Sequence, residues 1–205
     1  MPSTVTARHR PPPVAPDGPR SAHSPRNCLT QRVSEARLIL TCGLPGAGKT
    51  TLARRLAADR SAVRLTKDDW LWALGPTPWA TTTQAKVNHE LWQLAQEIVR
   101  LGLSVVLDFG FAARIERDEV RSVARDLGVG VELHVLEVPV DELWRRIEVR
   151  NSQPPWDSAP IGRAHLDEWA ALFEAPDAGE LALFDPPPDA GLTGDASRPA
   201  RPRAE

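Results

Sequence analysis

Arg37-Leu-Ile-Leu-Thr-Cys42 runs directly into Gly43-Leu-Pro-Gly-Ala-Gly-Lys49-Thr50, which runs into Thr51-Leu-Ala-Arg-Arg-Leu-Ala-Ala58. The first segment is a short apolar run closed by a Gly-rich turn, the pattern of a buried strand. In the stretch from Thr50 to Ala58, Leu52 and Leu56 stand four apart, on one face of a helix. The eight residues between fit G-x-x-x-x-G-K-[ST] in full, in the strand-then-helix setting that this pattern requires. Glycines let the bend adopt positive φ and keep side chains out of it. Successive backbone N–H groups then point inward as an anion nest. The start of the helix adds unsatisfied N–H groups and the positive end of its dipole. Gly43, Leu44, Pro45, Gly46, Ala47, Gly48, Lys49, Thr50 and Thr51 are therefore the expected nucleotide-binding residues. Lys49 supplies a mobile charge for the β- and γ-phosphates, and the Thr50 hydroxyl is placed to ligate Mg²⁺.

Working outward, Ala62–Thr66 reads as a second short strand, with Lys67-Asp68-Asp69-Trp70 just past its end. Gly75, Pro76, Pro78 and a Thr run make residues 75–83 a loop. Gln84 to Leu101 reads as a helix with Val87, Leu91, Leu94, Ala95, Ile98 and Leu101 on one face, stopped by Gly102. Ser104-Val-Val-Leu-Asp108 is the clearest buried strand. A helix from Ala113 to Leu127, a strand over Val131–Val138 and an Arg-rich helix from Val140 to Arg150 follow. Gln153-Pro-Pro155 breaks that helix. A helix over Ile161–Phe173 and a last strand over Leu181–Phe184 complete the reading. Alternating strands and helices predict an α/β fold: three layers, α/β/α, around a central, mostly parallel sheet.

The chain has 205 residues, with 25 Lys+Arg against 27 Asp+Glu and a net charge of −2. That balance argues against a protein that wraps nucleic acid electrostatically. No apolar run is long enough for a membrane span, and no signal-peptide core follows the start, so a cytoplasmic protein is expected. Cys28 and Cys42 suit neither a disulfide framework nor a metal site. Seven of the 20 prolines fall in residues 1–35 and five in 186–205. Segments of that composition cannot bury enough apolar surface to offset their ordering entropy. The expected organisation is a tail over 1–35, a folded body over 36–184 and a second tail over 185–205.

Outside the phosphate loop, polar residues at strand tips carry the chemistry, because ligands of open parallel sheets bind at the carboxyl ends of strands. Asp68 and Asp69 lie 19 and 20 residues after Lys49, beyond the second strand. One of them can take the proton of an attacking hydroxyl while the other caps a helix. Asp108, ending the buried strand, is placed to hold Mg²⁺ waters or to position an acceptor. Arg145, Arg146 and Arg150 share one helix, with Arg146 and Arg150 four apart on one face. Guanidinium groups suit phosphate oxygens, and a lid helix closing over ATP would supply them. Arg114 and Arg117 open an exposed helix and rank lower for the cleft. Trp70, Trp72, Trp79 and Trp92 crowd into 23 positions, beside His89-Glu90. They either pack the core or stack a flat acceptor.

The Gly43–Thr51 loop, Lys67-Asp-Asp-Trp70, Leu107-Asp-Phe-Gly110 with Arg114 and Arg117, and Asp141-Glu-Leu-Trp-Arg-Arg146 together resemble small P-loop kinases. The type is that of polynucleotide kinase, zeta toxin and chloramphenicol phosphotransferase, with bacterial AAA-like predicted kinases most similar. The resemblance spans roughly residues 37–175. It implies a P-loop NTPase fold and phosphoryl transfer from ATP with Mg²⁺. It also implies a general-base role for Asp68, an acceptor-site role for Asp108, and lid roles for Arg146 and Arg150. One departure matters. The polynucleotide kinase motif carries an Arg three residues after its base, to hold the phosphate of a nucleic acid; here that residue is Leu71.

The expected function is a kinase transferring the γ-phosphate of ATP to a hydroxyl of a small molecule: a sugar, a nucleoside or an antibiotic-like compound. The expected catalytic residues are Lys49, Asp68, Arg146 and Arg150. Thr50 and Asp108 are the metal residues, and Asp69, Asp108 and Arg114 the substrate residues. Three alternatives stand beside it: a nucleotide-binding switch ATPase without such an acceptor, a zeta-toxin-like kinase, and a polynucleotide 5′-hydroxyl kinase.

Overall fold

The structure, a computed structural model, describes residues 35–74, 81–153 and 160–188. The greater part of both expected tails, together with Cys28, Trp79, Pro154 and Pro155, lies outside these residues.

Strand β1 (Arg37–Cys42) leads through the Gly-rich bend into helix α1 (Lys49–Asp59). Strand β2 (Val63–Thr66) passes without a gap into the short helix α2 (Lys67–Ala73). Helix α3 (Thr81–Arg100), strand β3 (Val105–Gly110), helix α4 (Arg114–Leu127) and strand β4 (Gly130–Val135) follow. Helices α5 (Val140–Asn151), α6 (Arg163–Leu172) and α7 (Ala178–Leu181) end the described chain. The four strands form one parallel sheet in the order β2-β3-β1-β4.

β1 sits between β3 and β4, and every one of its residues except Arg37 is buried. Alternation splits it between two faces. Leu38, Leu40 and Cys42 join Val105 and Leu107 against Leu91, Ala95 and Val99 of α3 and Val120 and Ala124 of α4. Ile39 and Val106 turn to the other side and meet Ala53 and Leu56 of α1. Each such buried Val or Leu contributes about 1.5–3 kcal/mol. With both faces covered, the strands read as continuous apolar runs, which is why β1 and β3 stand out in the sequence. A separate cluster joins Ala47 of the bend to Leu143 and Ile147 of α5 and Leu166 of α6. That cluster seats α5 on the phosphate loop.

The three-layer α/β architecture is as the sequence implies. Three local expectations are corrected. Thr81–Thr83 belong to α3 rather than to the preceding loop. Leu181–Phe184 is not a strand: the Asp177 carboxylate accepts from the Glu180 N–H at 2.7 Å, which starts the helical turn of α7 instead. The body also runs past 184, because Asp185 donates its N–H to the Val131 carbonyl and accepts the Val131 N–H, both at 2.7 Å. No helix among the described residues is long and apolar enough to cross a membrane.

Candidate active site

The bend between β1 and α1 is fixed by sterics. Gly43 has φ +146°, and a Cβ there would lie 2.8 Å from the Leu136 carbonyl oxygen. Gly48, at φ +96°, turns the chain into α1, and its carbonyl accepts the Leu52 N–H at 3.0 Å. Lys49 folds back over this bend, its Nζ donating to the Leu44 carbonyl at 2.9 Å. Loss of hydration holds the Lys49 ammonium below its usual pKa, and the nearby carboxylates of Asp108 and Asp68 oppose that shift. A cation part-desolvated and flanked by two carboxylates is ready to transfer its donors to an anion.

Register brings those carboxylates together. Thr66, the last residue of β2, pairs with Asp108 of β3, so the first turn of α2 starts beside that strand tip. Asp108 is buried and engaged at both oxygens. The Thr41 hydroxyl donates to Oδ1 at 3.2 Å and Arg64 Nη1 to Oδ2 at 3.5 Å. Asp68 and Asp69 diverge. Asp69 pairs with Nη2 of the same Arg64. Asp68 is exposed at the start of α2 and stands in the field of Lys49, Lys67 and Asp108; partial loss of hydration, foremost, pushes its carboxyl above the usual range, and Asp108 adds to the rise against the two lysines. The helix N-cap is Thr66, with no side-chain capping bond, so the expected cap role falls to neither aspartate. Both instead place charge in the first turn, where the dipole favours it.

Helix α5 carries Leu143, Arg146, Ile147 and Arg150 along one face. Leu143 and Ile147 pack on the bend, where a Cβ on Gly46 would come within 3.1 Å of the Leu143 carbonyl. Arg146 is thereby held at its edge. Arg146 reaches the Gly46 carbonyl through Nη1 at 3.5 Å and donates to Glu142 through Nε at 2.7 Å. Arg150 Nη2 is buried with no hydrogen-bond partner among the described residues. Arg145 is turned to solvent, also on Glu142. Hydrogen bonds from Arg145 and Arg146 bring the Glu142 pKa down to about 2.

A cleft of about 220 Å³ opens beside Lys67, between α3 and α4, and Trp92, His89, Phe109 and Phe111 line it. Trp70 and Trp72 are exposed, so of the tryptophan cluster only Trp92 lines this cleft among the described residues. Arg114 is exposed and paired with Asp118 and Asp177, away from the lining. Arg117 is not exposed at all: it is fully buried, paired with Glu180, and donates to the Phe111 carbonyl at 2.9 Å. Arg64, Asn88 and Glu180 were not foreseen as site or support residues. No pattern in one sequence links residues 44 or 63 positions apart. Cys42 is buried with its Sγ on the Phe111 carbonyl, and burial pushes its thiol up to about 11, so it stays a neutral packing group.

The Thr50 hydroxyl and the Asp108 carboxylate are hard oxygen donors of the kind Mg²⁺ prefers. Among the described residues no cluster of His, Cys, Asp or Glu is assembled to hold a metal unaided. The donor set therefore fits an ion that takes most of its ligands from phosphate and water.

A parallel sheet with a Gly-rich bend leaving its inner strand, and a carboxylate on the adjacent strand tip, is the arrangement of a P-loop NTPase fold. Residues 38–176 match the AAA_33 family, an AAA domain, and the chain belongs to that family. Among solved structures, it is similar to a chain of the Pnkp1/Rnl/Hen1 RNA repair complex (TM-score 0.57, 20% identity, 74% of this chain against 47% of that one). It thus spans less than half of that RNA-repair chain. It is also similar to a candidate kinase from Chloroflexus aurantiacus J-10-fl (TM-score 0.56, 21% identity, 70% of this chain and 82% of that one). A third likeness is to a sugar kinase from Janibacter sp. HTCC2649 (TM-score 0.51, 18% identity, 71% of this chain and 82% of that one). These are likenesses of fold. No curated protein matches the chain in sequence.

Proposed function

We propose that this protein is an ATP-dependent kinase that transfers the γ-phosphate to a hydroxyl of a small molecule. The observation that carries the reading is the position of Lys49, which leaves the bend with Asp68 and Asp108 both acting on its charge. A phosphate held by the loop amides then has a cation on one side and two carboxylates of different character on the other. Lys49 exchanges the Leu44 carbonyl for the β- and γ-phosphate oxygens. Thr50 and Asp108 are the residues that would hold Mg²⁺, which would neutralise charge on the phosphates. Asp68, raised in pKa and free of Arg64, accepts the acceptor's hydroxyl proton. The acceptor oxygen forms a bond to the γ-phosphorus as the bond from phosphorus to the β–γ bridging oxygen breaks. ADP leaves with that bond's electron pair, and the proton passes from Asp68 to solvent. Arg146, at the edge of the bend, and Arg150, one turn further along α5, are the cations for the negative charge that develops during transfer.

The residue at the third position after Asp68 supports a small acceptor over a nucleic-acid end. Leu71 is buried in the core, so that position offers no cation to a substrate phosphate. The test is Lys49→Ala with γ-labelled ATP and a panel of alcohols. Turnover is expected to vanish while the circular dichroism spectrum is kept. Undiminished ATP consumption by that variant would refute the assignment. Phosphate release that no alcohol stimulates would instead make the protein an ATPase.

A further inference from the structure

We propose that the cleft between α2, α3 and α4 is the acceptor site, and that it selects a hydroxylated molecule bearing an N–H or O–H donor and no anionic group. The proposal rests on the kinase reading above and deepens it. The cleft is half-open and holds about 220 Å³, below the roughly 300–1,000 Å³ of most small-molecule sites, so it suits one small acceptor partly seated in it rather than successive nucleotides of a strand. It opens at Lys67 in the first turn of α2, whose charge acts on both Asp68 and Lys49, and at Phe111 just past the end of β3, so its occupant lies at the carboxyl ends of the strands, next to the phosphoryl site.

Three features set the chemistry of that occupant. The amide oxygen of Asn88, which lines the cleft from α3, is buried without a hydrogen-bond donor among the described residues. A buried acceptor left unpaired is unfavourable, and a donor from the ligand removes that cost. An anionic oxygen in the same place would be repelled. Two carboxylates, Glu116 and Glu119 of α4, face one ammonium, Lys67. Glu116 spends an oxygen on the Ala113 N–H at 3.2 Å, whereas Glu119 has no ion pair among the described residues. The lining is therefore acidic on balance and welcomes a cation or a neutral donor. Trp92 and the stacked rings of Phe109 and Phe111, 5.8 Å between centroids, also line the cleft and give an apolar surface for the C–H face of a sugar or the plane of a base. A site that hydrogen-bonds a substrate donor rejects analogues lacking it, because its own buried group is left unpaired.

The experiment measures acceptor kcat/KM for a neutral hexose, an aminohexose, a nucleoside, a hexonate and a short 5′-hydroxyl oligonucleotide, with ATP as donor. At least one neutral or cationic member is expected to exceed the hexonate and the oligonucleotide by tenfold or more. Asn88→Leu should raise the KM for that acceptor about tenfold and leave the KM for ATP unchanged. Asn88→Asp, which keeps the oxygen and the shape, should retain activity and shift preference further toward the amine. Glu119→Gln should reduce any advantage of aminohexose over hexose. Preference for the hexonate or the oligonucleotide overturns the proposal, as does an acceptor KM untouched by Asn88→Leu, or failure of every neutral and cationic member. If ATP still binds in those cases, the fault lies with the acceptor assignment; if ATP does not bind, the kinase reading itself falls.

Discussion

Arg117 of α4 and Glu180 of α7 form an ion pair in which neither side chain keeps more than 2% of its surface. Arg117 Nη2 donates to Glu180 Oε2 at 3.0 Å, and Nη1 holds the carbonyls of Phe111 and Ala112 at 2.9 and 3.3 Å. The pair thus fastens the last described helix to the loop after β3, where Phe111 takes φ +43° and lines the proposed acceptor cleft. Removing one partner leaves a buried charge uncompensated, at a cost of about 3–5 kcal/mol. Glu180→Ala is therefore expected to lower the urea midpoint sharply. The double change Arg117→Met with Glu180→Leu should recover most of that loss, since apolar groups of similar volume replace a pair whose desolvation is costly. Equilibrium unfolding of both variants checks this.

That clamp also shows where the sequence stops being informative. The strand–bend–helix unit around Gly43 and Lys49 was legible because it is local: its turn, its dipole and its motif all lie between Arg37 and Asp59. The inward face of α3 was legible for the same reason. The pairing of Arg117 with Glu180 spans 63 residues, and the choice of Arg64 between Asp69 and Asp108 depends on the parallel register of β2 on β3. Neither leaves a trace in composition or periodicity. Arg117 looked like an exposed helix residue because charged residues are seldom fully buried without a partner, and its partner lay in a stretch read as leading into a strand. The tryptophans misled in the opposite sense: Trp70 and Trp72 lie on the solvent side of a short helix, and among the described residues only Trp92 is on the cleft.

Asp68 and Lys49 predict a pH dependence and a stability effect of opposite sign. Phosphoryl transfer needs Asp68 ionised and Lys49 protonated. The Asp68 carboxyl is raised above 3.8 and the Lys49 ammonium lowered below 10.5. The profile of kcat/KM should therefore be a bell whose acid limb lies above, and whose alkaline limb lies below, the ordinary values for these groups. Asp68→Asn should lose orders of magnitude in rate and abolish the acid limb. A folded-state pKa raised above the unfolded one favours the neutral form, so the stability Asp68 contributes is present at low pH and lost as pH rises through the folded value. At neutral pH its charge works against the fold. Because Asp68 is exposed, solvent screens most of this effect: Asp68→Asn should melt no lower than the native protein at pH 7, and any small gain should close under acid. A lower melting point at pH 7 would contradict this.

Gly43 offers a steric test of the bend. Gly43→Ala puts a methyl 2.8 Å from the Leu136 carbonyl at φ +146°, so the bend or the segment just after β4 must shift. Nucleotide affinity should fall by at least tenfold, since the nest depends on the direction of each N–H. Gly128→Ala is the control: φ is +68° there, but nothing lies within 4 Å of the added methyl. It should cost about 1–2 kcal/mol of backbone strain and leave nucleotide affinity unchanged. Calorimetric titration with ATP·Mg²⁺ separates the two.

Arg150 presents the case of a group whose function and stability effects diverge. Its Nη2 is buried and unpartnered among the described residues, on the face of α5 that meets the phosphate loop. An unpaired buried donor costs about 1–3 kcal/mol, and a phosphate oxygen arriving at the loop would relieve it. Arg150→Met keeps the stem and removes the orphan, so the nucleotide-free protein should become more stable. The same change removes a cation from the developing charge and should lower kcat by about 10²–10³. Arg150→Lys restores charge without the planar fork and should recover only part of the rate. Arg146→Ala differs, because Arg146 already spends Nε on Glu142 and Nη1 on Gly46. Its loss should cost rate with no gain in stability. Melting curves with and without ATP·Mg²⁺ separate the two arginines: the stabilisation that nucleotide confers should shrink most in Arg150→Met. An Arg150→Met protein that melts no higher than the native chain, yet transfers phosphate at the native rate, would remove Arg150 from the site.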